Sequence, residues 1–170
     1  MNLKKFIREI PNWPQSGVNF KDITPLLQNP KAFRYAIDAM AKPFLKRKID
    51  IVVGIDARGF ILASALAYKL RAGLAIIRKK GKLPWKTIAQ KYKLEYATNT
   101  LEMHKDAIKP GQKVLLVDDV LATGGTMKAT IDIVRKLKGK IVGIAFLAIL
   151  TYLEGERKLR GYKLHSLIKY

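Results

Sequence analysis

Residues 114–126 read VLLVDDVLATGGT. Val114 to Val117 is an unbroken apolar run with no polar alternation, the pattern of a strand covered on both faces. Asp118 and Asp119 follow at once, so this strand delivers two carboxylates to its own carboxyl end. Behind them, Ala122-Thr123-Gly124-Gly125-Thr126 is a loop of small residues opening a helix over Thr126 to Lys138. Met127, Ile131, Val134 and Leu137 fall on one face of that helix, and Gly139 is its expected cap. A small-residue loop at a helix N-terminus offers free N–H groups and the positive end of the helix dipole, which together favour a phosphate. Glycine permits close backbone approach, and Thr123 and Thr126 add hydroxyl donors. The spacing is neither that of a Walker loop nor that of a dinucleotide fingerprint. Because the acids directly precede the cradle, they face whatever the phosphate carries. A ribose 5-phosphate fits, with its hydroxyls donating to the carboxylates.

Working outward, residues 2–9 read as a short helix, and Pro11, Pro14 and Gly17 break the chain into a loop reaching about Thr24. Asn29-Pro30 is an N-cap with proline at the first helical position, opening a helix to about Lys42 with Phe33, Ile37 and Met40 on one face. Ile49 to Ile55 is a buried strand. A helix over Phe60 to Arg71 follows, capped at Gly73, and Leu74 to Ile77 is a further strand. Residues 79–93 lack a clean period and read as a long loop, with 94–96 and 100–103 as a small hairpin. Pro110-Gly111 is a turn, Lys140 to Leu150 a strand, and Tyr162 to Ile168 a late edge strand. Strands alternating with helices predict an α/β fold with a mainly parallel sheet, in which ligands bind beyond the carboxyl ends of the strands.

The composition agrees. The chain has 170 residues, 49% of them apolar, which suits one domain at residues 1–170 and excludes a disordered tail. There is no cysteine for a disulfide scaffold, and the longest apolar run, Ile141 to Leu150, is too short to span a membrane. The N-terminal residues carry no signal-peptide core. The expectation is a soluble protein of the cytoplasm, with no membrane partner. With 33 Lys+Arg against 13 Asp+Glu, the net charge of +20 suits anionic partners. The basic residues are spread along the whole chain, which reads as a solvated surface rather than a nucleic-acid groove.

Residues 114–126 resemble the ribose-phosphate-binding motif of the type I phosphoribosyltransferases. Pro14 to Leu26 (PQSGVNFKDITPL), Gly54 to Phe60 (GIDARGF), Ile77 to Pro84 (IRKKGKLP) and Tyr92 to Tyr96 (YKLEY) extend the likeness over nearly the whole chain and point to that family's adenine-using branch. The resemblance implies a central mainly parallel sheet flanked by helices, with a small hood and a flexible lid loop. It implies adenine and 5-phosphoribosyl 1-diphosphate as substrates, Mg²⁺ as cofactor held mainly by the donor with no direct protein ligand, and a homodimer.

Residue by residue, the likeness assigns ribose phosphate to Asp118, Asp119, Ala122, Thr123, Gly124, Gly125 and Thr126. Diphosphate falls to Asp56, Ala57, Arg58, Arg78, Lys79 and Lys82, and adenine to Val18, Phe20 and Lys21. Glu95, Asp118 and Asp119 take the catalytic roles, with Glu95 handling the base proton. The family often has Arg where Lys21 stands and Ser where Ala57 stands, and Asn19 is more polar than expected. Hypoxanthine, guanine or xanthine therefore stays open as the base, as does a non-catalytic regulator of the same fold.

Overall fold

The computed structural model describes residues 1–93 and 98–170. The strands and α-helices run in the order β1 Arg8–Pro11, β2 Asn19–Asp22, α1 Thr24–Gln28, α2 Pro30–Ala41, β3 Ile51–Ile55, α3 Arg58–Leu70, β4 Gly73–Lys79, β5 Thr87–Lys93, β6 Thr98–His104, β7 Lys113–Leu121, α4 Gly125–Lys136, β8 Lys140–Ile149 and β9 Leu164–Lys169. Among the described residues β1 and β2 form a two-stranded sheet, and the other seven strands form one sheet in the order β5-β6-β4-β3-β7-β8-β9. Strands β4, β3, β7, β8 and β9 are parallel to one another, whereas β6 pairs antiparallel with both β4 and β5.

Strand β7 lies between β3 and β8, near the middle of the sheet, and its apolar run is covered on both faces. Leu115 and Val117 pack with Ala36, Met40, Leu62 and Leu66 from α2 and α3. Val114 and Leu116, pointing the other way, pack with Met127, Ile131 and Val134 from α4. This is the period-2 alternation of a strand whose two faces both meet helices. The connection after β3 leads through α3 to β4 on one side, and that after β7 leads through α4 to β8 on the other. The chain order reverses between β3 and β7, so their carboxyl ends flank a crevice, the usual ligand position in open α/β sheets.

The helix at Asn29 forms as expected, its side chain accepting from the N–H groups of Lys31 and Ala32. Several expectations are corrected. The first segment is a single turn of 3-10 helix, Leu3–Phe6, followed by β1, because β1 finds a partner in β2, inside what reads as a loop. Residues 87–93, also read as loop, are β5, paired along their length with β6. A strand so rich in Lys and Gln carries no apolar alternation to announce it. The expected strand at 94–96 lies outside the described residues.

Gly73 does not cap its helix, and Gly139 closes the end of α4 through its N–H, which donates to the Val134 carbonyl at 3.0 Å, rather than through a left-handed backbone. Arg71 (φ +54°) and Lys138 (φ +60°) take the left-handed positions instead. Gly139 is closely packed, since a Cβ there would lie 2.9 Å from Val134 and 3.1 Å from both Ile108 and Val114, whereas at Gly73 it would meet the movable end of the Ile51 side chain at 2.8 Å. Truncating Leu116 to Ala, fully buried at the centre of β7, is expected to cost about 2–5 kcal/mol. Urea unfolding monitored by circular dichroism measures this.

Candidate functional site

Two helix N-termini meet at the crevice. Helix α4 begins at Gly125 with Gly124 as its N-cap at φ +78°, a left-handed conformation that L side chains seldom adopt. Residues Asp118, Val120 to Met127 and Phe146 line a cavity of about 180 Å³ there. The residues assigned to ribose phosphate by sequence are thus gathered in one place, at the carboxyl end of β7. The Thr126 hydroxyl donates to the Tyr92 hydroxyl at 3.4 Å, tying the cradle to β5. Helix α3 begins at Arg58 and comes very close to β7: a Cβ on Gly59 would lie 2.7 Å from Asp118 Oδ1 and 3.2 Å from the Val117 carbonyl. Only glycine lets α3 seat its first turn against the aspartates.

The two carboxylates are held differently. Asp118 Oδ1 accepts from the Asp119 N–H at 2.9 Å. Burial pushes the Asp118 carboxyl well above the ordinary carboxylate range, and the neighbouring Asp119 charge adds to the push. Burial raises Asp119 as well, against the lowering pull of Arg58, whose guanidinium lies 2.6 Å from Asp119 Oδ2.

Arg58 is the most connected side chain of the site. It pairs with Asp119, donates to the Lys21 carbonyl at 3.0 Å, and lies with its guanidinium carbon 4.5 Å from the centroid of the Phe20 ring. Phe20 in turn meets the Trp13 ring edge-on at 4.4 Å. The residue assigned to diphosphate by sequence therefore reaches toward β2 and Asp119 in this conformation. The rest of the diphosphate group assembles on Asp56, which receives Arg78 Nε at 3.1 Å and lies 3.5 Å from Lys82 Nζ. Ala57 stands at the N-cap of α3 and offers no side-chain cap, and Lys79 is exposed at the end of β4.

Among the adenine-assigned residues, Val18 and Phe20 are half-buried near Arg58's edge of the crevice. Val18 spends its carbonyl on the Trp13 N–H and its own N–H on the Gln15 carbonyl. Lys21 is 5% exposed. Its ammonium is engaged by Glu9 at 2.8 Å and stands 4.1 Å over the Tyr170 ring, so the side chain braces β2 and what it offers a ligand is main chain. Glu95, assigned to the base proton, lies outside the described residues.

Two participants carry no motif. Glu102 on β6 is buried and accepts from the Gly81 N–H at 3.0 Å, anchoring the turn between β4 and β5 that bears Lys79 and Lys82. Its one sequence signal is an acid in an acid-poor chain. Gly155 packs against the cradle from behind, 30 or so residues away in sequence, and nothing local marks it. Among the described residues no group of three or more His, Cys, Asp or Glu gathers as metal ligands. Two carboxylates, one of them paired with Arg58, do not make a cation site by themselves, which suits a hard cation whose oxygen ligands come with its substrate. No helix there is long and apolar enough to cross a membrane.

The elevated Asp118 has a stability consequence. A carboxyl whose folded pKa exceeds its unfolded one binds more protons folded, so its cost to stability is absent well below the unfolded pKa and grows as pH rises toward the folded one. Asp118→Asn keeps the oxygen that accepts from Asp119 and removes the ionisation. It is expected to raise Tm at neutral pH, with the gain fading toward pH 4. Thermal melts across pH check this; a gain that grew on acidification would contradict it.

Comparison with known proteins completes the description. Residues 22–167 match the model of the phosphoribosyl transferase domain family. The chain is 55% identical over 170 residues to adenine phosphoribosyltransferase of Thermotoga sp. (strain RQ2), covering 100% of both chains. It superposes with a TM-score of 0.96 on the crystal structure of adenine phosphoribosyltransferase from Rhodothermus marinus, at 50% identity, covering 99% of this chain and 96% of that one. The Saccharomyces cerevisiae enzyme, solved with adenine and an imino-altritol bisphosphate, superposes with a TM-score of 0.91 at 35% identity, covering 96% of this chain and 95% of that one.

Proposed function

The chain belongs to the phosphoribosyl transferase domain family, among its adenine phosphoribosyltransferases, and from that membership we propose how its residues join adenine to 5-phosphoribosyl 1-diphosphate to give AMP and diphosphate, a purine salvage reaction. The observation that carries the proposal is the pair of aspartates near the carboxyl end of β7, followed by Val120 and Leu121 and then by the loop that leads into the glycine-bent N-terminus of α4. The donor's 5-phosphate sits in the loop of residues 122–126, where N–H groups, the helix dipole and two threonine hydroxyls meet its charge. The ribose hydroxyls face Asp118 and Asp119.

The diphosphate lies toward Asp56, Ala57, Arg58, Arg78, Lys79 and Lys82, with the lysine-bearing turn after β4 closing over it. Mg²⁺ bound to donor oxygens supplies charge that eases departure of the diphosphate. Adenine stacks at Val18 and Phe20 beside the main chain of Lys21. The C1–O bond to diphosphate breaks, leaving its electron pair on that oxygen, and N9 of adenine forms the new bond to C1 while Glu95 takes the N9 proton. Positive charge on the ribose ring is greatest between those events, and a carboxylate at Asp119 stabilises it. Much of the acceleration comes from holding two substrates in line and away from water.

Asp118, whose burial pushes its carboxyl toward the protonated form, and Asp119, paired with Arg58, are not two bare anions side by side. The donor's arrival exchanges those partners for ribose hydroxyls and phosphate charge. The reading also makes the protein a cytoplasmic homodimer. Support for the dimer comes from Ile61 and Tyr68 on α3 and Leu74 on β4, large apolar residues left exposed. Light scattering should return twice the chain mass of 19.2 kDa.

Turnover with Mg²⁺ and the ribosyl donor is expected with adenine and not with hypoxanthine, guanine or xanthine. Asp119→Ala should lower kcat by at least ~10²-fold, the scale of one lost electrostatic group. Turnover near that of the parent would remove Asp119 from its role.

A further inference from the structure

We propose that Gly155 is a positioning residue for the phosphate cradle: its missing side chain lets the segment after β8 press its backbone against residues 122–124 and hold them in the shape that receives phosphate. The inference rests on the cradle being the phosphate site, as proposed above.

The contact is backbone on backbone. A Cβ built on Gly155 would lie 2.1 Å from the Ala122 carbonyl oxygen and 2.9 Å from the Gly124 nitrogen. The converse holds: a Cβ on Gly124 would lie 2.6 Å from the Gly155 carbonyl oxygen. No flexible side chain stands between them to move aside. Gly155 does not have a left-handed φ, so its own conformation would accept an L residue. The demand for glycine is therefore one of space alone, and the space is the cradle's.

The surrounding segment is built as a brace. It starts where the cradle starts, with the Leu150 N–H donating to the Leu121 carbonyl at 2.9 Å. Two 3-10 turns, Thr151–Leu153 and Gly155–Leu159, are joined at Glu154, whose left-handed φ of +52° turns the chain. Thr151 at one end is tied to the Tyr170 carbonyl through its N–H at 2.9 Å and its hydroxyl. Leu159 at the other end is buried in the cluster that holds Met127 and Ile131 of α4. Between these anchors Gly155 is buried and its neighbours through Lys158 are half-buried or exposed. Gly155 is absent from the cavity lining, so it acts on ligand through the loop and not by touching it.

The test compares Gly155→Ala with Gly161→Ala, which has a positive φ of +89° but meets nothing within 4 Å. Each full-length variant is assayed for KM of the ribosyl donor, KM of adenine, Tm, and affinity for ribose 5-phosphate by calorimetry. Gly155→Ala should weaken ribose 5-phosphate and raise the donor KM by at least ~10-fold, the effect of misplacing a binding loop by a fraction of its reach, and leave the adenine KM unchanged. Gly161→Ala should lower Tm and leave both KM values unchanged. Equal donor KM in Gly155→Ala and the parent would overturn the proposal, as would adenine and donor KM rising together.

If Gly155→Ala does not fold, hydrogen exchange on the parent protein decides. Ribose 5-phosphate should protect residues 150–159 along with 122–126; protection confined to 122–126 would overturn the brace. Failure of the parent protein to bind ribose 5-phosphate would instead refute the phosphate reading of the loop, and the brace with it.

Discussion

The structure depends on burying two adjacent carboxylates where a central strand runs out. Water would solvate Asp118 and Asp119 freely, and a protein interior would not. The fold meets that cost with three devices. One is a partner, Arg58 from the first turn of α3, at 2.6 Å from Asp119. Another is an Asp118 carboxyl pushed up by burial and by the Asp119 charge, which favours its protonated form. The third is geometry: Gly59 brings α3 against β7 so closely that a methyl group would collide with Asp118. Of the three, the Arg58–Asp119 pair is the one that a hydroxyl-bearing ligand could exchange for its own donors.

That constraint organises the neighbourhood. Because Arg58 is bound to Asp119, it also ties down β2 through the Lys21 carbonyl and the Phe20 ring. Strand β2 and the aspartates of β7 are therefore joined by one side chain. Lys21 is steadied in its turn by Glu9 and Tyr170, so β1 and β2 are clamped to the end of β9. On the opposite wall, Glu102 holds the Gly81 turn, and Asp56 gathers Arg78 and Lys82. In a chain with 13 acids against 33 bases, the buried acids mark where the cations are given fixed positions.

Legibility followed locality. The apolar run of β7, the Asn29-Pro30 cap and the small-residue loop are written in consecutive residues, and each forms where the sequence places it. The pairing of β1 with β2 and of β5 with β6 is non-local and carries little apolar alternation, so those segments read as helix or loop. Gly73 and Gly139 show the same limit from the other side. A glycine after a helix suggests a left-handed cap, yet neither takes that conformation, and the packing of Gly139 against Val134, Ile108 and Val114 is nothing a local pattern discloses. At the site, the motif residues that the structure describes lie in one neighbourhood, but the direction of Arg58 and the burial of Lys21 depend on partners more than 30 and about 150 residues away, respectively. Gly155 was illegible for the same reason.

The most direct measurement is a crystal structure of the protein with Mg²⁺, a non-hydrolysable analogue of the ribosyl donor, and adenine. The account predicts the 5-phosphate within the loop of residues 122–126, the ribose hydroxyls on Asp118 and Asp119, and Arg58 released from Asp119. A donor analogue bound elsewhere, with the Arg58–Asp119 pair intact and the loop empty, would contradict it.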